Sequence, residues 1–376
     1  IDRVEMRRRN LVTAAQMPYS IPQVLPSGGG GEFDSGDYAV TLERCLNAFD
    51  WPAKSALQGR LIDGRYHGIA VGCYVEGGSA GPRENARLAL AADGMVTVTV
   101  GASAVGQGLE TVFAQIAADG LGIPMDHIAA VHHGSTTGIH EGFGSFGSRA
   151  SVMGGSAILA AAQNLQQAIR EAAARRFGCS ADAVEIIDGL RAVTANGRRL
   201  SLQELDAVGF EGAGTFSNSK RTYSYGAHAA HIAVDAQTGQ IEVLDYVAVE
   251  DVGRILNPNT LHGQTIGAIV QGLGGTLLEG FVYDDEGQML NASLAAYLIP
   301  CALDFPRIRC IALEQYPSPL NPLGVKGAGE GGVIPVGGVI ANALASALQS
   351  FGVSSNELPL SQPRVWQLIE NARRQA

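Results

Sequence analysis

Residues 324–332 read GVKGAGEGG, in which one glutamate, Glu330, sits among five glycines with Lys326 four residues before it. Glycine loses more backbone entropy on folding than any other residue, so such a run marks unusual backbone angles or a close approach of backbone to a ligand. A phosphate-binding loop fits poorly, because its pattern G-x-x-x-x-G-K-[ST] ends on the lysine and has no central acid. The stretch therefore predicts a site that places one base beside something bulky.

Length and composition are those of a globular protein. The chain has 376 residues, of which 46% are hydrophobic and 16% charged, which is ordinary for a soluble chain with the core of two or three domains. A formal net charge of −10, with no compensating basic stripe, argues against a nucleic-acid partner held by general electrostatics. The most apolar long segment, 331–348, is interrupted by glycines, Pro335 and Asn342, so no transmembrane span is predicted.

The cysteines give no sign of a metal cluster or a disulfide framework. Five of them are scattered along the chain, without a C-x-x-C pair or a Cys/His group at zinc or iron–sulfur spacing. We therefore expect this chain to ligate no such cluster itself. An odd and dispersed count also favours a reducing compartment, which predicts a cytoplasmic protein.

The hydrophobic pattern mixes strands and helices without a steady βαβ rhythm, which predicts an α+β fold. Two hairpins are predicted around tight turns, at 87–100 and at 225–253. Helical spacing predicts helices over 109–123, over a long alanine-rich stretch from 151 that Gly178 closes, from 259 onward, and within 331–348.

Three further glycine-rich pieces carry a polar centre: VGQGLE around Gln107, FGSFGSRAS around 148–151, and VQGLGG around Gln271. A glutamine between glycines can offer its amide oxygen and two N–H donors to a ligand that approaches closely. The backbone amides that begin the helix at 151 could meet an anionic group. The alternative is that the glycines let helices pack tightly and the glutamines cap them.

Taken in order, seven motifs resemble the molybdenum-binding subunit of the molybdenum hydroxylases, the family of xanthine dehydrogenase, aldehyde oxidase and carbon monoxide dehydrogenase. The motifs are GDY, DG, VGQGLET, GSFGSRAS, VEDVGRILNP, VQGLGG and VKGAGEGG. The resemblance runs from about residue 1 to about residue 350 and implies the carboxy-terminal half of that subunit. It implies an α+β molybdenum-cofactor-binding domain over 61–350, preceded by the end of another subdomain and a linker over 1–60, and followed by a tail over 351–376.

The resemblance also implies a role for individual residues. Glu330 matches the base that takes a proton from the hydroxyl or water-derived ligand on molybdenum. Cofactor contacts are implied for Gly106, Gln107, Gly108, Gly147, Ser148, Arg149, Ala150, Ser151, Gln271 and Gly329. The metal itself is held by the dithiolene of the pterin in this family, so no protein ligand to molybdenum is expected.

The implied cofactor is a molybdopterin-type molybdenum cofactor, with a cytosine dinucleotide among its forms. [2Fe-2S] centres and FAD are expected on partner chains, and the expected partners are the N-terminal half of the subunit, a [2Fe-2S] subunit and a FAD subunit. The implied reaction is hydroxylation of an N-heteroaromatic compound or an aldehyde with water as the oxygen source. General-base help of the kind assigned to Glu330 contributes about 10²- to 10⁴-fold.

Two positions bear on the substrate. Val71 and Gly72, in IAVGCYV, stand where purine-oxidising relatives carry a Phe-Thr pair that sandwiches the ring. The resemblance therefore predicts a substrate pocket without that aromatic wall, which counts against xanthine.

One stretch departs from the family pattern. Residues 132–142 read HHGSTTGIHEG, which introduces His132, His133, His140 and Glu141. Either these are loop residues satisfied locally, or His140 or Glu141 lies near the pterin or the substrate funnel.

A second interpretation of the whole chain is a non-catalytic structural homologue, or a glycine-rich anion-binding module within a multi-subunit complex. The presence of Glu330, Gln107 and Gln271 favours the enzyme.

Overall fold

The structure is a computed structural model that describes residues 1–22, 31–79, 81–139, 141–205 and 209–375. The helices are α1 Arg3–Asn10, α2 Tyr38–Phe49, α3 Trp51–Ser55, α4 Leu109–Leu121, α5 Gly155–Phe177, α6 Pro258–Leu277, α7 Val336–Ala347 and α8 Gln362–Gln375. The strands are β1 Tyr19–Ile21, β2 Gly31–Phe33, β3 Leu61–Ile62, β4 Arg65–Gly78, β5 Arg83–Leu90, β6 Val96–Val100, β7 Ile128–His132, β8 Glu185–Ile187, β9 Ala192–Ala195, β10 Arg198–Ser201, β11 Phe210–Ser217, β12 Thr222–Val234, β13 Ile241–Asp251 and β14 Arg309–Leu313. The predicted α+β fold is confirmed.

A five-stranded sheet in the order β14-β13-β12-β4-β3 forms one half of the architecture. Helices α6 and α7 pack on one face, and α2 packs on the other. The hairpin predicted at 225–253 is confirmed as β12 and β13. Its burial does not alternate, because both faces are covered and β12 is buried along nearly its whole length. Alanines on β12 leave room for helices on both sides, with Ala229 in the core beneath α2 and Ala230 in the core beneath α6 and α7.

A four-stranded sheet in the order β11-β5-β6-β7 forms the other half. Here one face packs on α4 and α5, and burial alternates along β5 and β6, which confirms the hairpin predicted at 87–100. Helix α5 lies directly on the backbone of β11. A Cβ placed on Gly214 would come within 2.3 Å of the carbonyl oxygen of Ala157, so glycine permits this close approach.

Between α6 and β14, residues 278–308 form an arm that exposes large apolar side chains. Phe281 is 64% exposed, Leu294 80% and Leu303 94%. Monomeric proteins seldom expose contiguous apolar patches of this kind, so the arm is a candidate contact surface. None of the described helices is long and apolar enough to cross a membrane.

Two histidines meet inside the five-stranded sheet. Nδ1 of His67 and Nε2 of His231 lie 2.8 Å apart on the paired strands β4 and β12. Burial, with smaller contributions from His67 and Lys54, lowers the pKa of His231 to about 4, whereas Asp245 opposes the shift. The pair is therefore neutral at neutral pH, with one ring donating to the other.

Acid should destabilise the fold through His231. The folded protein binds fewer protons than the unfolded chain between the unfolded pKa near 6.5 and the folded pKa near 4, so stability is lost as pH falls through this window. We expect the free energy of unfolding to drop by up to about 3 kcal/mol from this residue. Urea unfolding midpoints between pH 4 and 7 would measure the drop. The His231→Gln variant, which cannot titrate there, should show a shallower pH slope. An unchanged slope would contradict the assignment.

Candidate active site

A cavity of about 380 Å³ lies where loops from the two sheets meet. Its walls come from four segments, at 105–112, 145–151, 252–264 and 325–330. Apolar side chains such as Val105, Phe146 and Leu261 alternate with a few polar groups, which is the usual composition of a small-molecule site.

Glu330 lies at the exposed side of this cavity and is tied to Ser148. The Ser148 hydroxyl donates to Oε2 of Glu330 at 2.8 Å, and the Glu330 backbone amide donates to the same hydroxyl oxygen at 3.1 Å. Ser148 adopts a φ of +48°, an uncommon conformation for a residue with a side chain. The two hydrogen bonds join loops 182 residues apart and fix the carboxylate on the cavity wall.

The glycines of 324–332 explain how Glu330 comes to lie beside Ser148 on the cavity wall. A Cβ on Gly327 would lie 2.3 Å from the carbonyl oxygen of Ser148 and 3.1 Å from Cα of Gly78. A comparable contact joins Gly101 and Gly142, where a Cβ on Gly142 would lie 2.6 Å from the Gly101 oxygen. Backbone therefore packs on backbone at both points. At 327 the glycine serves the contact between two loops, and this contact places Glu330 beside Ser148.

Arg149 anchors the loop before α5 from inside. Its side chain is fully buried, and its guanidinium pairs with the equally buried Glu84 at 2.5 Å. It also donates to the carbonyl oxygens of Gly144 at 3.0 Å and Arg83 at 2.6 Å. Because the fork of the guanidinium is rigid, these bonds fix the course of the loop.

The same loop lines the cavity at 148–151 and has backbone angles typical of an anion-binding loop. Gly147 and Ser148 have φ of +54° and +48°, and Arg149 follows with helical angles. Successive residues of this kind converge their N–H groups into a concave anion-binding shape. A π-helical turn over Ala150–Gly154 then leads into α5, and the first amides of a helix have no partner within it. Ala150 and Ser151 line the cavity.

Gln107 also lines the cavity, with its amide folded onto its own loop. Its Oε1 accepts from the Val105 amide at 2.6 Å, and its Nε2 reaches the Ser103 carbonyl at 3.4 Å. Gly106 and Gly108 adopt φ of +103° and +79°, so they shape this turn. The side-chain amide of Gln107 thus stabilises its own loop, and its remaining hydrogen-bonding capacity is available to a ligand.

Gln271 is not brought to the cavity. It is exposed on α6, seven residues or roughly 10 Å beyond Gln264 along the axis. Gln264 lines the cavity instead, and its Nε2 donates to the Gly329 carbonyl at 2.8 Å. The sequence analysis did not single out Gln264. A glycine precedes Gln264 in HGQ, as one precedes Gln107 in VGQ, and this neighbour could have pointed to it.

Val71 and Gly72 also lie away from the cavity. Val71 is 3% exposed in the core beneath α2, and Gly72 packs on Val339 of α7. The geometry of the described chain therefore gives no support to a pocket wall at these two positions.

Two of the unusual loop residues are satisfied locally. His133 accepts the Ala104 amide on Nδ1 at 3.2 Å, so its Nε2 carries the proton that faces Glu110 at 3.1 Å. Glu141 pairs with Arg83, which lowers the pKa of the glutamate. His132 is exposed at the end of β7, and His140 lies outside the described residues.

The segment after β13 supplies cavity residues that the sequence did not single out. Arg254 is exposed and places a cation at the cavity. Asn257 caps α6 by accepting from the amides of Asn259 and Thr260, and its Nδ2 donates to Gln115 of α4 at 2.9 Å. The motif VEDVGRILNP includes Arg254 and Asn257, but nothing in its pattern indicated that these two residues line a cavity.

Comparison with known proteins identifies the chain's relatives. The model of the molybdopterin cofactor-binding domain family matches residues 44–306. The gamma subunit of the 6-hydroxypseudooxynicotine dehydrogenase complex of Paenarthrobacter nicotinovorans is 34% identical over 97% of this chain and 48% of its own length. The nicotine 6-hydroxylase large subunit of the same organism is 31% identical over 96% of this chain and 46% of its own length.

Solved structures of molybdenum-containing and related oxidoreductases also match this chain. Quinoline 2-oxidoreductase from Pseudomonas putida 86 superposes with a TM-score of 0.85 at 32% identity, covering 98% of this chain and 49% of that one. A Cu,Mo-containing carbon monoxide dehydrogenase superposes with a TM-score of 0.88 at 25% identity, covering 100% and 50%. The chain spans about half the length of the relatives it matches.

Proposed function

Since the chain belongs to the molybdenum hydroxylase family, we propose that it forms one half of a molybdopterin site that hydroxylates an N-heteroaromatic compound or an aldehyde, with Glu330 as the base. The observation that carries this proposal is the position of Glu330. Its carboxylate is fixed by Ser148 on the wall of a cavity whose neighbouring loop presents an anion-binding cradle.

The described residues fit a pterin cofactor with an anionic tail. The backbone conformation of the lining residues 148–151 suits phosphate oxygens, and Arg254 adds a positive charge at the same cavity. Gln107 and Gln264 offer amide groups, and Gly329 lets the cofactor approach the backbone. When bound, this cofactor supplies the two-electron redox chemistry and the water-derived oxygen for hydroxylation.

The chain's own task is to orient and to move a proton. Ser148 donates to one oxygen of the Glu330 carboxylate and so sets its direction, while the other oxygen can accept a proton. Once the N-terminal half closes the cavity, apolar walls at Val105, Phe146 and Leu261 would limit the water around the base and strengthen its electrostatic effect.

The rest of the assembly follows from the family. We propose that the N-terminal half of the subunit closes the cavity, and that chains with [2Fe-2S] centres and FAD accept the electrons. The cofactor is proposed in its cytosine dinucleotide form. The apolar arm at 278–308 supports a contact with another polypeptide segment. The names of two relatives, which refer to nicotine and quinoline, favour a nitrogen heterocycle as substrate.

Metal content and a substrate panel test the proposal together. We expect about one molybdenum per copy in the purified complex, and a higher kcat/KM for quinoline or nicotinate than for xanthine, with benzaldehyde as the aldehyde probe. A complex without molybdenum and without turnover would establish the non-catalytic alternative. If xanthine gave the highest value, the substrate proposal would be withdrawn and the cofactor proposal kept.

A further inference from the structure

The loop that carries Gln107 connects β6 to α4 and has little packing to hold it. Residues 103–108 form no helix or strand, and none of them is buried. Val105 is 78% exposed, and a Cβ placed on Gly106 would meet no atom within 4 Å. A segment with so few apolar contacts is held mainly by its hydrogen bonds.

His133, the first residue after β7, bonds to both sides of this loop. Its Nδ1 accepts from the Ala104 amide at 3.2 Å, and its Nε2 lies 3.1 Å from Oε1 of Glu110, in the first turn of α4. Ala104 precedes Gln107 by three residues, and Glu110 follows it by three. A single imidazole ring therefore bridges the segment that contains Gln107.

The contact with Glu110 also decides which nitrogen of His133 is free to accept. The Nε2 proton is donated to the Glu110 carboxylate, which selects the tautomer with an unprotonated Nδ1. Only this nitrogen can accept from the Ala104 amide. Glu110, His133 and Ala104 thus form one hydrogen-bonded chain from the start of α4 to the start of the loop.

This chain of hydrogen bonds reaches Gln107 through the next amide. The Val105 amide donates to Oε1 of Gln107 at 2.6 Å, so consecutive amides of the loop have their acceptors on His133 and on Gln107. If Ala104 moved away from His133, Val105 would move with it. Gln107 would then lose the bond that directs its side chain, so the position of Gln107 depends on the bond from Ala104 to His133.

We propose that His133 is a positioning residue, which holds the loop so that the Gln107 amide stays at the wall of the cavity. The inference rests on the proposed function, in which Gln107 contacts the cofactor. His133 itself does not line the cavity, whereas Gln107 does. His133 therefore acts through Gln107 rather than on a bound ligand.

Two substitutions of His133 test the bond from Ala104. His133→Phe keeps a planar ring but has no nitrogen, so the Ala104 amide loses its acceptor. His133→Asn places an amide oxygen near the position of Nδ1 and restores the acceptor. We expect kcat to fall by about tenfold in His133→Phe at an unchanged KM, and to return to within about threefold of wild type in His133→Asn.

Hydrogen exchange of the purified complex gives a reading that does not depend on turnover. The peptide that contains 103–108 should exchange about two- to tenfold faster in His133→Phe, the change expected on losing one hydrogen bond. It should exchange at the wild-type rate in His133→Asn. His132→Phe is the matched control, because His132 is the exposed neighbour of His133 and has no part in the chain to Ala104. It should leave both kcat and exchange unchanged.

A double substitution separates action through Gln107 from a general effect on the fold. If His133 acts through Gln107, adding His133→Phe to Gln107→Ala should lower kcat no further than Gln107→Ala alone. Additive losses, an unchanged kcat or exchange rate in His133→Phe, or a His133→Asn variant as impaired as His133→Phe would overturn the inference. A wild-type complex without molybdenum and without turnover would instead overturn the proposed function. Exchange would still report on the loop in that case, so the two failures are distinguishable.

Discussion

Replacing Glu330 by glutamine is expected to lower kcat by about a hundredfold or more while molybdenum stays bound. The amide keeps the size of the side chain and can still accept the hydrogen bond from Ser148, and the backbone bond from residue 330 to the serine is unaffected. The variant thus loses proton acceptance alone. Stopped-flow reduction under single turnover, with metal content measured on the same sample, would report the loss at the chemical step.

Glu141→Gln provides the control for this experiment. Glu141 is an exposed glutamate, paired with Arg83, in the loop that leads to Ser148. The change is chemically identical and lies close by, but it removes a carboxylate that does not line the cavity. We expect turnover within about twofold of wild type, since such exposed pairs contribute little to stability. Near-normal turnover in a molybdenum-loaded Glu330→Gln complex would remove Glu330 from the role of base.

Neutralising Glu84 is expected to lower the free energy of unfolding by about 3–5 kcal/mol, because it removes the carboxylate that lies opposite the buried guanidinium of Arg149. The pair is completely buried, and Arg149 fixes the loop that contains Ser148 and lines the cavity. Glu84→Gln should therefore also reduce the molybdenum content of the purified complex. Chemical unfolding and metal analysis of one preparation would measure both losses.

An exposed pair on the same sheet offers a matched comparison. Arg87 on β5 pairs with Glu211 on β11, and Glu211→Gln should cost less than about 1 kcal/mol. Adding Arg149→Met to Glu84→Gln should recover part of the stability, because the buried guanidinium is then removed together with the carboxylate. It should not recover molybdenum, because the loop has lost its anchor. A loss of similar size in Glu84→Gln and Glu211→Gln would show that burial does not set the strength of the Glu84–Arg149 pair.

Local patterns predicted the elements of the fold well. The hairpins were recognised because their turns and flanking strands are contiguous in sequence, and the helix that Gly178 closes was recognised from its spacing. Burial does not alternate along β12, because helices cover both faces, and a helix on the second face is a long-range feature that no local pattern contains. The family resemblance, which rests on the order of several short motifs, is confirmed by the match to the family model.

The candidate site was harder to predict, for a physical reason. The Ser148–Glu330 bond joins residues 182 positions apart, and the Glu84–Arg149 pair spans 65, so no local pattern contains either. Gln271 and Gln264 lie on one helix, and only the packing of α6 decides which of them meets the cavity. The cofactor contacts and the role of Glu330 as base stay predictions. The structure adds the contacts within the chain that fix the positions of these residues.

The backbone contacts at Gly78–Gly327 and Gly101–Gly142 have a consequence for how such a site can diverge. A side chain on either member of a pair would collide with main chain, so no single-residue step in a lineage can alter these junctions without separating the loops. Lining positions such as Val105 carry no such restriction. Relatives with different substrates can therefore differ in the side chains that line the cavity while they keep the same glycine contacts. Substitutions that change the substrate are expected at the lining positions rather than at the glycine pairs.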